Sequence, residues 1–316
     1  MAVPRMMTCA LALVTLTACT SGPTGGEPVA RGVIGADGAT PPPASQSPAA
    51  LTPAAYKDAL ASRQKTMSGA LKSMLGARTV TALDTRLERA GESLRGAADA
   101  LAELSPPPEV KSEHDTYVVS LRELANSMGS TSGKVGSRAV CTPGAVLTDL
   151  GAVLKRADQA GQALESAGGY PADFIDAGAA SKKSRRLSNG HFLRKESLTG
   201  RSYLQVDNGS PRDAVITVVR GGKKAVTVYV RKKTKFKIRG VRDGSYKIFF
   251  THGVDWDGKR RAFSRDCSFE RFEKSVRFRT VYTATQIRWH DWKITLHAIS
   301  GGNAPTKRVD PDSFPS

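Results

Sequence analysis

Cysteine is scarce in this chain: there are four in 316 residues, too few for a disulfide-scaffolded miniprotein. Long apolar runs are missing beyond the first twenty residues, and no later segment is long enough to span a bilayer. Acidic residues are outnumbered, with 29 Asp+Glu against 47 Lys+Arg and a formal charge of +18. That balance excludes an acidic buffer or acidic activator. It points to a polyanion such as nucleic acid, anionic lipid or cell-wall polymer. Catalytic signatures are absent as well: there is no G-x-S-x-G, H-E-x-x-H, P-loop or dinucleotide fingerprint, and the carboxylates show no acid/base pairing. What is there, 40% hydrophobic and 6% aromatic residues, suffices for about two globular domains.

The N-terminus has one positive residue, Arg5, followed by an apolar run from Met6 to Ala18. The run is too short for a spanning helix and has the length of a secretory h-region. It ends in Leu16-Thr17-Ala18-Cys19, which resembles the lipobox of bacterial lipoproteins. The resemblance implies that residues 1–18 are a lipoprotein signal peptide and that Cys19 becomes the lipidated, palmitate-bearing N-terminus. It also implies that the protein is held on the extracytoplasmic face of the cell membrane. An ordinary secretory signal with a chance cysteine is the alternative. Cys9 lies inside the h-region and leaves with it. Residues 19–50, rich in Gly, Pro, Ala, Ser and Thr, are expected to be a disordered tether.

Residues 51–168 carry helical spacing. Thr52-Pro53 supplies an N-cap and a first-turn proline, and Tyr56, Leu60, Met67, Leu71 and Met74 fall on one stripe. Val80, Leu83, Leu87, Ala90, Leu94, Ala97, Leu101 and Leu104 repeat the pattern up to Pro106-Pro107-Pro108. Val110, His114, Tyr117, Leu121, Leu124 and Met128 repeat it again. After a Gly/Ser-rich loop expected over 129–138, so do Leu147, Leu150, Leu154, Ala157, Gly161 and Leu164. Such seams predict a four-helix bundle, broken first at Gly76 unless 53–104 is one long helix. The seam is Leu, Ala and Val. Its one ionisable member, His114, reads as a packed, hydrogen-bonded residue, so no metal and no cofactor is expected there.

Residues 169–201 read as a basic, exposed interdomain linker containing Lys182-Lys183 and Arg185-Arg186. From Ser202 to residue 316 the periodicity switches to two. Short strands are expected at 203–206, 214–220, 225–231, 234–239, 245–251, 276–278, 280–289 and 292–299, with a hairpin signal at Gly221-Gly222. The predicted fold class is therefore α+β in two domains, a helical bundle followed by an antiparallel β-sandwich. The stretch Thr234–Ile248, with Gly240, Gly244 and Tyr246 in a strand–Gly–x-x-x-Gly–x-Tyr–strand pattern, resembles prealbumin-like and CnaB-like sandwiches. That resemblance implies a fold and no activity, and no Lys–Asn–acid set for a self-formed isopeptide bond is identifiable.

Charge divides with the fold. Residues 51–168 hold 14 Lys+Arg and 13 Asp+Glu, whereas residues 169–316 hold 31 and 14, a net of +17. Arg231, Lys232, Lys233, Lys235, Lys237, Arg239 and Arg242 are expected to line one solvated sheet face, with Lys259, Arg260, Arg261, Arg265, Arg277, Arg279 and Arg288 adding to the field. With the chain anchored outside the cell, the expected partner is an anionic envelope polymer or lipid headgroups rather than nucleic acid. Cys141 and Cys267 either pair across the two halves or remain separate buried thiols. The turns Asp255-Trp256-Asp257-Gly258 and Asp207-Asn208-Gly209 read as plain turns, not calcium loops. Trp289-His290-Asp291-Trp292 reads as hairpin core before a glycan site. The leading reading is a non-enzymatic, membrane-anchored surface lipoprotein whose basic β-sandwich binds an anionic envelope component or a partner protein. An envelope hydrolase with its site in loops 253–270 and 289–297, and a bundle that docks to a membrane complex, are the other two.

Overall fold

A computed structural model describes residues 49–174, 181–297 and 304–315. The expected signal segment, Cys19 and nearly all of the expected tether lie outside these residues. The chain is α+β, with helices in its N-terminal part and antiparallel-rich sheets in its C-terminal part.

Helix α1 (Pro53–Leu75) starts where the Thr52 hydroxyl accepts from Ala55 N, and α2 (Val80–Ala102) starts where Thr79 accepts from Ala82 N. The chain therefore breaks at Gly76–Thr79 and does not form one helix over 53–104. A 3₁₀ turn at Pro108–Val110 leads into α3 (Lys111–Gly136). Here the sequence expectation fails, because 129–136 is helix and not loop. Low intrinsic propensity is overridden by tertiary partners. Thr131 Oγ1 donates to Asp149 Oδ2 at 2.8 Å, Ser132 Oγ donates to Asp84 Oδ1 at 2.7 Å, and Val135 is buried. The last helical stretch is two helices, α4 (Pro143–Asp149) and α5 (Gly151–Gly168), meeting at Leu150.

The expected seam is the core. Leu60, Leu83, Leu87, Leu94, Leu121, Leu124, Leu154 and Leu164 are all buried in one cluster, each worth about 1.5–3 kcal/mol relative to exposure. His114 is buried in it and shares a 2.9 Å hydrogen bond with the Tyr56 hydroxyl, while burial lowers its pKa. After α5, Tyr170, Ala172 and Phe174 fold back into the same core, and Tyr117 donates to Ala172 O at 2.9 Å.

The sheet region begins earlier than expected. Strand β1 (Phe192–Lys195), inside the presumed linker, pairs with β4 (Lys223–Val230). The main sheet runs β1-β4-β3-β6-β7-β12, where β3 is Asp213–Arg220, β6 Gly244–Asp257, β7 Ala262–Phe272 and β12 Thr306–Arg308. Strand β8 (Val276–Phe278) pairs with the start of β6. A second sheet has the order β11-β2-β5, built from Trp292–Thr295, Ser202–Asn208 and Thr234–Val241, with β11 parallel to β2. A separate two-stranded ribbon joins β9 (Thr280–Tyr282) to β10 (Ile287–Trp289). Residues 280–289 are thus a hairpin and not one strand, because Gln286 N donates to Thr283 Oγ1 at 3.0 Å and Thr283 N to Gln286 O at 2.9 Å.

Alternation along the strands creates two cores. Leu204, Val206 and Ile238 from the three-stranded sheet share a cluster with Ile216, Val228 and Phe250 of the main sheet. The other face of the main sheet carries Val215, Tyr229, Trp256 and Phe263, packed with Cys141 and Cys267. A register shift at Gly253 in β6 turns Trp256 to this second face.

Candidate functional site

Cys141 and Cys267 are joined by a disulfide across a sequence separation of 126 residues. Backbone bonds flank it, from Cys141 N to Ser264 O and from Cys267 N to Arg138 O. Nearby, Arg260 in the β6–β7 turn donates to Ala77 O at 2.6 Å and to Leu75 O at 2.7 Å, so a sheet cation satisfies the carboxyl end of α1.

Arg185 and Arg186, expected in an exposed linker, are partners of two buried acids. Arg185 contacts Asp255 through Nε and Nη2 at 2.9 and 2.8 Å, and Arg186 Nε lies 2.7 Å from Asp213 Oδ2. Burial alone would raise the Asp255 pKa, but the Arg185 hydrogen bonds outweigh it and hold the carboxyl at about 2. Asp213 is held below its ordinary value by the same opposition, with Arg186, Tyr229 and Lys232 N as donors. Asp255 is thus a buried ion-pair member, not a plain turn residue. Lys182 and Lys183 remain exposed.

The seven basic residues expected on one face divide among three places. Lys235, Lys237 and Arg239 lie on the outer side of β5, opposite the buried Ile238. Lys235 Nζ is 3.1 Å from Asp207, and Lys237 Nζ stands 4.1 Å from the Tyr203 ring centroid. Arg231, Lys232 and Lys233 form the β4–β5 turn. There Arg231 Nε donates to Leu187 O at 2.8 Å and Lys233 Nζ to Gly209 O at 2.6 Å. Arg242 follows β5 and donates to Thr199 Oγ1 at 3.1 Å. A single free cationic face does not form, because most of these heads have acceptors within the chain.

The more distinctive surface is the β9–β10 ribbon. Its register places Tyr282 opposite Ile287 and Thr280 opposite Trp289, so Tyr282, Ile287 and Trp289 share one face. Tyr282 is 68% exposed, Trp289 45% and Trp292 39%. These tryptophans are therefore on the surface and not in a hairpin core, and alternation alone could not distinguish the two cases. Asp243 Oδ2 accepts from Thr280 N at 2.7 Å and Trp292 Nε1 donates to Arg277 O at 2.9 Å, anchoring the ribbon base. Asp291 accepts from Tyr203 N at 2.8 Å, so it is no partner for His290. Arg277, Arg279, Arg288 and Lys293 are exposed in the same segments, and Arg288, paired with Val281, lies on the ribbon face opposite these rings.

Among the described residues, no group of three His, Cys, Asp or Glu side chains is placed to hold a metal, and no helix is long and apolar enough to cross a membrane. Comparison with family models, curated proteins and solved structures finds no match.

Proposed function

We propose that the chain is a lipoprotein of the bacterial cell envelope, anchored through Cys19, that binds an anionic envelope surface through its sheet region. In this reading the helices form a bundle and the two facing sheets a β-sandwich of the prealbumin-like kind. The lipobox carries the anchor and places the protein on the outer face of the membrane. The observation that carries the binding is the exposed ribbon face of Tyr282, Ile287 and Trp289, with the exposed Arg277 and Arg279 preceding the ribbon in the chain and Arg288 on its other face. Amphipathic aromatic rings favour the headgroup layer of a bilayer, and arginines beside them attract its phosphates. The basic side of β5 adds to the same attraction.

The test uses unlipidated Cys19→Ala protein, so that the anchor cannot itself give retention. The protein is mixed with vesicles of phosphatidylglycerol and phosphatidylcholine, and with phosphatidylcholine alone. Sedimentation on the anionic vesicles is expected, weakening as salt rises from about 0.05 to about 0.5 M. It should fall about tenfold in Trp289→Ala/Tyr282→Ala protein, roughly 1.4 kcal/mol of binding. Equal retention on neutral vesicles, or binding unaffected by the variant, refutes the reading. Labelling of the wild type but not Cys19→Ala with radioactive palmitate tests the anchor separately.

A further inference from the structure

The main sheet does not close completely against the helices. A cavity of about 240 Å³ lies between the α1–α2 turn, the start of α4, one face of the main sheet and the C-terminal segment 311–315. Its apolar lining includes the buried Val215, Trp256, Phe263 and Phe314. Its charged lining is Arg78, Arg194, Lys224, Arg260 and Arg261, with no carboxylate and no histidine. Arg260 is committed to the carbonyls of α1, and Arg194 Nε donates to Lys224 O at 2.9 Å. Arg78 and Arg261 are exposed and have no ion-pair partner among the described residues.

Trp256 is 3% exposed and is one of the lining residues. We infer that this cavity binds a single acyl chain carrying an anionic head, a fatty carboxylate or an alkyl phosphate. The aromatic lining takes the chain and the uncompensated arginines take the head. Size restricts the ligand further. The volume falls below the roughly 300–1,000 Å³ of drug-sized sites, so one short chain fits and a two-chain phospholipid does not. An acid/base pair for hydrolysis is absent from this lining, so the site is one of binding.

The inference goes beyond the membrane-surface reading and uses residues other than those of the β9–β10 ribbon and β5, so either can fail alone. The experiment follows Trp256 emission in full-length Trp289→Phe/Trp292→Phe protein, titrated with decanoate, decyl phosphate, decanol and decyltrimethylammonium. Saturable binding of both anions is expected, about tenfold tighter than decanol, with no competition from the cation. Binding of one anion alone identifies the head as carboxylate or phosphate and still supports the site. Arg78→Glu/Arg261→Glu should weaken anion binding about tenfold and leave decanol unchanged. Thr227→Phe, which fills the cavity, should abolish binding; should it not fold, the charge-reversal variant decides. No saturable change with either anion, equal affinity for all four heads, or wild-type binding by folded Thr227→Phe protein overturns the proposal.

Discussion

Cys141, between α3 and α4, is covalently joined to Cys267 in the middle of β7. The bond fastens the helical part to the face of the main sheet that carries Trp256 and Phe263. It also closes a loop spanning 126 residues of sequence, and constraining the unfolded chain in this way stabilises the native state. Non-reducing peptide mapping should recover a Cys141–Cys267 linked fragment. Cys141→Ser/Cys267→Ser protein is expected to lose about 2–5 kcal/mol of stability in denaturant titrations. Two free, alkylatable thiols at these positions would exclude the bond.

Acid should destabilise the protein in two stages. His252 is buried, and burial, with Arg212 and His297 nearby, lowers its pKa from 6.5 to about 4. The unfolded chain therefore takes the proton first as pH falls. Stability is fully present above pH 6.5 and declines between pH 6.5 and about 4, by about 3 kcal/mol at full extent. Asp255 is held at about 2 against an ordinary 3.8, so its contribution is present above about pH 4 and is lost below it. Melting temperatures from pH 7 to pH 2 should show both declines. His252→Gln should reduce the first and Asp255→Asn the second, with His114 and Asp213, whose pKa values are lowered in the same sense, supplying the remainder.

Glycine substitutions in the helices should separate by available space. A Cβ at Gly129 or Gly133 of α3 meets nothing within 4 Å, whereas at Gly161 of α5 it would lie 2.8 Å from Ala172 O. Gly129→Ala and Gly133→Ala are each expected to stabilise by about 0.5–1 kcal/mol through helix propensity. Gly161→Ala should destabilise, because the clash is with backbone. Urea midpoints of the three variants check the sign.

Two tryptophans should behave oppositely. Trp289→Ser is expected to change stability by no more than about 0.5 kcal/mol, as an exposed residue does. Trp256→Ala, in the second sheet core, should cost about 3–5 kcal/mol. A large loss from Trp289→Ser would mean that the ribbon face is structural and not a contact surface.

Much of this architecture was legible in the residues. The stripes through Leu83, Leu87, Leu94, Leu121 and Leu124 became the helical core, because a 3.6-residue repeat leaves one face to bury. Phe236 and Ile238 turned inward while Lys235 and Arg239 turned outward. The helix over 129–136 was not legible, since its Gly, Ser and Thr favour turns until Asp84 and Asp149, distant in sequence, supply partners for Ser132 and Thr131. Nor was the anchoring of Arg185 and Arg186, whose acids lie 70 and 27 positions away.

By itself the sequence determined the period of each half, where the basic charge falls and which short segments turn, because these depend on near neighbours in the chain. Only the tertiary structure decided that Cys141 meets Cys267, that Trp256 is buried while Trp289 is exposed, and that a cavity without a carboxylate remains beneath the helices. Those outcomes depend on which surfaces meet, and residues far apart in sequence supply the two sides.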